Sequence, residues 1–175
     1  MAATDYVILV DENDTPLGTA EKLEAHQKGL CHRAFSVFIF RKSPVVELLL
    51  QQRAKEKYHS PGLWTNTCCS HPRLDEDILE AGKRRLFEEL GFHANLTHAG
   101  QFHYIAHFNN GLTENELDHV LVGTFSGEPI QPDPLEVGAY RWITPQNLEK
   151  ELAAHPEHFT PWLKKAFDIA FLSIL

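Results

Sequence analysis

The amino-acid sequence predicts a single α+β domain, a layered sandwich of strands flanked by helices. Runs rich in β-branched and aromatic residues, separated by short turn signals, occupy most of the chain. One capped helical pattern lies near the middle, and two more close the C-terminal end. No repeat, low-complexity tract or long linker divides the 175 residues, of which 43% are hydrophobic, so residues 1–175 read as one domain with one buried core.

Tyr6 to Val10 is the first strand, and Asp11 to Gly18 carries the Asp, Asn, Pro and Gly that turns use, so a hairpin follows. Ala34 to Phe40 and Glu47 to Gln52 flank a turn at Arg41 to Pro44, and the first of them is apolar enough to be covered on both faces. Thr65 to His71 is a short polar strand ending at Pro72. Asp77 caps a helix with Glu80 three residues on, Leu79, Leu86 and Leu90 fall at helical spacing, and Gly91 stops it. Gly82 inside this helix costs roughly 1 kcal/mol relative to Ala, which points to close packing or a nearby ligand. Strands are expected at Gly100 to Phe108, Glu116 to Thr124 and Val137 to Ile143, then helices at Pro145 to Ala154 and Thr160 to Leu172.

Composition excludes several functions. A formal net charge of −8 argues against a general nucleic-acid binder, and an anionic ligand would need a local basic pocket. No run of 18 apolar residues occurs, and the N-terminus has neither the basic stretch nor the apolar core of a signal peptide, so a cytoplasmic protein with no membrane partner is expected. Three cysteines, Cys31, Cys68 and Cys69, make a poor disulfide framework.

Two residue pairs point to chemistry. Cys69-Ser70-His71 and Glu114-Asn115-Glu116 fall in strand-like segments, where alternation puts Cys69 with His71 and Glu114 with Glu116 on one face. Adjacent carboxylates repel unless a cation or a shared proton relieves them. The pairs therefore suggest a metal-dependent acid/base centre, and eleven histidines modestly favour metal binding.

Counting from Ser70, five residues lead to Glu76, seven more to Arg84, and then come Arg85-Leu86-Phe87-Glu88-Glu89-Leu90-Gly91. This is similar to the Nudix box, a loop-helix-loop that holds divalent cations against a diphosphate. Ser70 replaces the box's glycine, and Arg85 replaces the glutamate after its arginine. Exchanging an acidic metal position for a guanidinium removes a ligand and favours holding phosphate.

With Thr65-Asn66-Thr67-Cys68-Cys69-Ser70-His71-Pro72 upstream and Glu114-Asn115-Glu116 downstream, the chain resembles the type I isopentenyl diphosphate isomerases over nearly its whole length. Gly18 to Lys22, His26, Leu30 to Ser36, Gln51 to Arg53, Pro61 to Trp64, Tyr104 and Pro161-Trp162 add to the match. The resemblance implies a Nudix-like α/β/α sandwich with a mixed sheet and a reaction that moves a carbon-carbon double bond in a five-carbon diphosphate. Cys69 and Glu116 match the family's acid/base positions, and which of them protonates the alkene stays open. Tyr104 matches a hydroxyl beside Glu116, and Trp162 an aromatic wall facing positive charge. His26, His32, His71, Glu114 and Glu116 match a site for Mn²⁺, Zn²⁺ or Mg²⁺. Glu89, with the Cys69 backbone carbonyl, matches a Mg²⁺ position against the diphosphate, while Lys22, Arg53, Lys57 and Arg85 match its cationic clamps. The implied partner is a small isoprenoid diphosphate, with no nucleic acid or obligate protein partner. The alternatives are a Nudix-type diphosphate hydrolase and a non-catalytic metal- or diphosphate-binding module.

Overall fold

The computed structural model describes residues 5–42 and 44–175. The expected absence of a targeting signal rests partly on residues 1–4, and the turn at 41–44 includes residue 43; these lie outside the described residues. Strands β1 (Tyr6–Val10) and β2 (Pro16–Glu21) form the expected antiparallel hairpin. The Asp11 carboxylate accepts the amides of Asn13 and Thr15 in its turn. The chain then makes a helix that the sequence does not signal, α1 (Lys22–Lys28), which has no side-chain cap and ends at Gly29 in the left-handed region, φ 64°. Seven residues are too few for an apolar period to stand out.

Strands β3 (His32–Arg41) and β4 (Glu47–Arg53) form the centre of the sheet. β3 runs parallel to β8 (Thr113–Thr124), with His32 beside Glu116, and β8 pairs antiparallel with β7 (Leu96–His107), with Tyr104 opposite Glu116. β9 (Val137–Ile143) lies antiparallel to β4. The sheet is therefore mixed, as expected.

The strand expected at Thr65 to His71 is instead two short ones. β5 (Trp64–Thr65) pairs with β4, and β6 (Cys68–Ser70) pairs with β3. Between them Asn66 and Thr67 take over the bonding with their side chains: Asn66 donates to the carbonyls of Val37 and Cys68, while Thr67 Oγ1 accepts from Ile39 N and donates to the Leu49 carbonyl. His71 lies beyond β6, so strand parity with Cys69 is not what places it.

Helix α2 (Ile78–Leu90) covers one face of the sheet through Leu86 and Leu90 against Phe35, Val37, Ile39 and Leu121. Asp77 caps it by accepting from Leu79 N and Glu80 N. Gly82 packs so closely that a Cβ would stand 2.7 Å from Leu121 Cδ1. On the other face, α3 (Pro145–Ala154) and α4 (Leu163–Ile174) bury Leu148, Leu163 and Phe167 against Phe38, Phe40, Leu48 and Leu50. This is the α/β/α layering, and it explains the continuous apolar run of β3. α4 begins three residues later than Thr160 because Thr160 is held by Thr65, their hydroxyls 2.8 Å apart. Among the described residues no helix is long and apolar enough to cross a membrane.

Candidate active site and cation centre

A cavity of about 530 Å³ opens where β6, β7, β8 and the start of α4 converge. Every residue matched to acid/base or substrate roles lines it: Cys69, Tyr104, Glu116, Lys22, Arg53, Lys57, Arg85 and Trp162.

β8 alternation brings Glu114, Glu116 and Asp118 to one face, all three buried. The Tyr104 hydroxyl lies 2.6 Å from Glu114 Oε2 and 2.8 Å from Glu116 Oε2. One hydroxyl has one proton to give, so the second carboxylate needs a proton or a cation to be accommodated. Burial, then the charge of Glu116, pushes the Glu114 pKa well above the usual carboxylate range. Burial acts the same way on Glu116, but the imidazoles of His32 and His71 beside its Oε1 outweigh it and hold that carboxyl low.

Three imidazoles gather about Glu116. His26 from α1 and His32 from β3 are fully buried. Their Nδ1 atoms lie 2.6 Å from the Lys22 carbonyl and 2.8 Å from the Leu30 carbonyl, so Nδ1 carries the proton and Nε2 presents a lone pair. Both Nε2 atoms are buried without a hydrogen-bond partner. His71 Nε2 is 3.0 Å and His32 Nε2 3.3 Å from Glu116 Oε1. Burial lowers the His71 pKa to about 3, leaving a neutral imidazole. Donor atoms of His26, His32, His71 and Glu116 all lie within 4.8 Å of one another. Orphaned neutral nitrogens facing a carboxylate are the donor set a divalent cation needs. Glu114 falls outside that tetrad and groups instead with His26 and His59.

The Cys69 sulfur sits among polar groups: Asn66 Oδ1 at 3.0 Å, Trp162 Nε1 at 3.2 Å and Ser36 Oγ at 3.8 Å. Burial, then the negative charge of Asp118, pushes the thiol up to about 12, so it is protonated at neutral pH. Cys68 faces the α2 side and is fully buried, whereas Cys69 lines the cavity.

At the other end of the cavity are the cations. Lys57 pairs with Glu136, and Arg85 bonds Glu88 at 2.8 Å and Glu89 at 2.5 Å. Glu89 is buried, accepts also from Gln51 Nε2 at 2.8 Å, and stands behind the cavity wall. Burial, and then the neighbouring charge of Lys57, lowers the Lys22 pKa. The Arg53 guanidinium lies 5.7 Å over the Trp162 ring, joining the cationic end to the aromatic wall.

Sequence reasoning assigned no role to Asn66, which it met only as part of a motif, or to His59, Asp118 and Glu136, all at this site. Strand parity with Glu116 would have found Asp118; His59 and Glu136 lie in irregular segments with no periodic signal.

The NUDIX domain model matches residues 31–163. An isopentenyl-diphosphate Delta-isomerase of Burkholderia multivorans is 47% identical over 171 residues, spanning 98% of this chain and 96% of that protein. The enzyme of the same name from Serratia proteamaculans is 49% identical over 158 residues, spanning 90% and 87%. Among solved structures, DR0079 of Deinococcus radiodurans superposes with a TM-score of 0.67 at 17% identity, covering 86% of this chain and 90% of its own. A MutT protein of Methanosarcina mazei Go1 gives 0.62 at 19%, covering 79% and 91%. The last two are alike in fold alone.

Proposed function

The chain belongs to the Nudix family and, within it, to the isopentenyl-diphosphate Delta-isomerases, and from that premise we propose that it converts isopentenyl diphosphate to dimethylallyl diphosphate in isoprenoid biosynthesis. A proton joins the terminal alkene carbon, positive charge develops at the tertiary carbon, and a proton leaves the methylene on its far side to form the new double bond. The diphosphate stays attached and no redox partner is needed.

One observation carries this reading: Cys69 and Glu116 face a single cavity from strands on opposite edges of β3, between a cationic end and the Trp162 ring. A proton donor and acceptor on two sides of a bound five-carbon chain is what a 1,3-transposition requires. Tyr104, bonded to Glu114 and Glu116, orients the carboxylate that exchanges the proton. Trp162 supplies a π face for the developing charge without offering a nucleophile. Lys22, Arg53, Lys57 and Arg85 hold the diphosphate.

The chemistry fits divalent cations. His26, His32, His71, Glu114 and Glu116 would hold one, whether Mn²⁺, Zn²⁺ or Mg²⁺; Glu89 and the Cys69 carbonyl would hold Mg²⁺ against the diphosphate. Bound cations supply charge that keeps the carboxylates ionised and neutralises the phosphates. Arg85 disfavours the hydrolase alternative, because it occupies an acidic position of the box and so removes one of the box's carboxylates. We take the whole chain as one such domain, working in the cytoplasm on a small molecule.

Cys69→Ala and Glu116→Gln test the reading. Each abolishes dimethylallyl diphosphate formation while leaving the circular dichroism spectrum as in the wild type; full activity in both variants would overturn it.

A further inference from the structure

We infer that His59 is a further donor of the cation site, on its Glu114 side; this rests on the divalent-cation reading above. His59 is 7% exposed, and its ring is locked by aromatic neighbours: it stacks on Phe108 at 5.1 Å and meets Tyr58 edge-on at 4.8 Å. Its Nδ1 is buried without a hydrogen-bond partner, and its Nε2 lies 3.0 Å from Glu114 Oε1.

The two carboxylates are then treated alike. Tyr104 occupies Oε2 of both. On Glu116, Oε1 faces His71 and His32 at 3.0 and 3.3 Å; on Glu114, Oε1 faces His59 at 3.0 Å. Bonds of about 2.1 Å place neighbouring ligands of a six-coordinate ion about 3.0 Å apart, the separation these imidazole-carboxylate pairs have. Donor atoms of His26, His59 and Glu114 lie within 4.8 Å of one another, and His26 belongs also to the tetrad with His32, His71 and Glu116. His26 thus links His59 and Glu114 to the tetrad, and the six side chains offer four imidazoles and two carboxylates, a set that suits a first-row transition ion.

The test is titration of chelator-treated protein with Co²⁺, reading the visible ligand-field absorption and the affinity by competition with a chelator. His59→Phe keeps the aromatic packing and removes the nitrogens. It should change the band shape and weaken Co²⁺ binding by about tenfold or more. His59→Gln, which keeps a polar side chain opposite Glu114, should change the spectrum in the same way and serves if the Phe variant folds poorly. Phe108→Ala disturbs the packing but removes no donor, and should leave the spectrum of the bound ion as in the wild type. Wild-type spectrum and affinity in both His59 variants, with binding lost in His32→Ala, would overturn the role of His59 alone. Equal Co²⁺ binding by the wild type and His32→Ala would overturn the cation site itself, and His59 with it.

Discussion

Trp162 Nε1 stands 3.2 Å from Cys69 Sγ and also 3.2 Å from Asn66 Oδ1. The aromatic wall and the thiol are thereby tied to one fully buried amide, whose Oδ1 accepts from Thr65, Cys69 and Trp162 while its Nδ2 donates to two backbone carbonyls. The orientation of the amide follows from this network, because only its nitrogen can donate to carbonyls.

Replacing Asn66 by Ala should free Cys69 and Trp162 at once. Loss of a buried hydrogen-bonding hub destabilises the fold by about 1–3 kcal/mol, and misplacement of the thiol lowers kcat on the order of 100-fold. KM should change little, because Lys22, Lys57 and Arg85, three of the four proposed diphosphate clamps, lie at the other end of the cavity. Steady-state kinetics on the folded fraction checks this, and a rise in KM at constant kcat would contradict it.

Gly91 ends α2 at φ 73°, and a Cβ there would stand 2.9 Å from the Gln131 carbonyl oxygen. Gly91→Ala combines left-handed strain with a backbone clash, at a cost of about 1–3 kcal/mol. Urea unfolding should show a lower midpoint at unchanged slope.

Glu76 accepts from Arg84 at 2.7 and 2.9 Å, and chiefly this hydrogen bonding holds its pKa below the ordinary 4.5. A lowered carboxyl stabilises the fold fully above its unfolded value and loses that contribution as pH falls through the folded one. The stability gap between wild type and Glu76→Gln should be steady near neutrality and shrink below about pH 4. Urea midpoints at pH 7 and pH 3 check the sign; an equal gap at both would contradict it.

Much of the fold was legible because the core follows simple periods. The run from Ala34 to Phe40 is apolar on both faces since α2 and α4 cover it from opposite sides, and Asp77 and Gly91 mark the ends of α2 by their own chemistry. Helix α1 was not legible, being short and uncapped. The break at Asn66 and Thr67 was hidden because their side chains satisfy distant backbone groups, a tertiary fact with no local signature. In the site, the Glu114-Glu116 face was readable from strand alternation. The approach of His59 to Glu114 was not, since it joins a loop to a strand 55 positions away by packing alone.

The most direct measurement is incubation of the purified protein with isopentenyl diphosphate and Mg²⁺ in deuterated water, followed by NMR for alkene and phosphate together. Dimethylallyl diphosphate carrying deuterium, with no phosphate released, is the predicted result. Released phosphate with no new alkene would contradict the account and return the chain to the diphosphate hydrolases whose fold it shares.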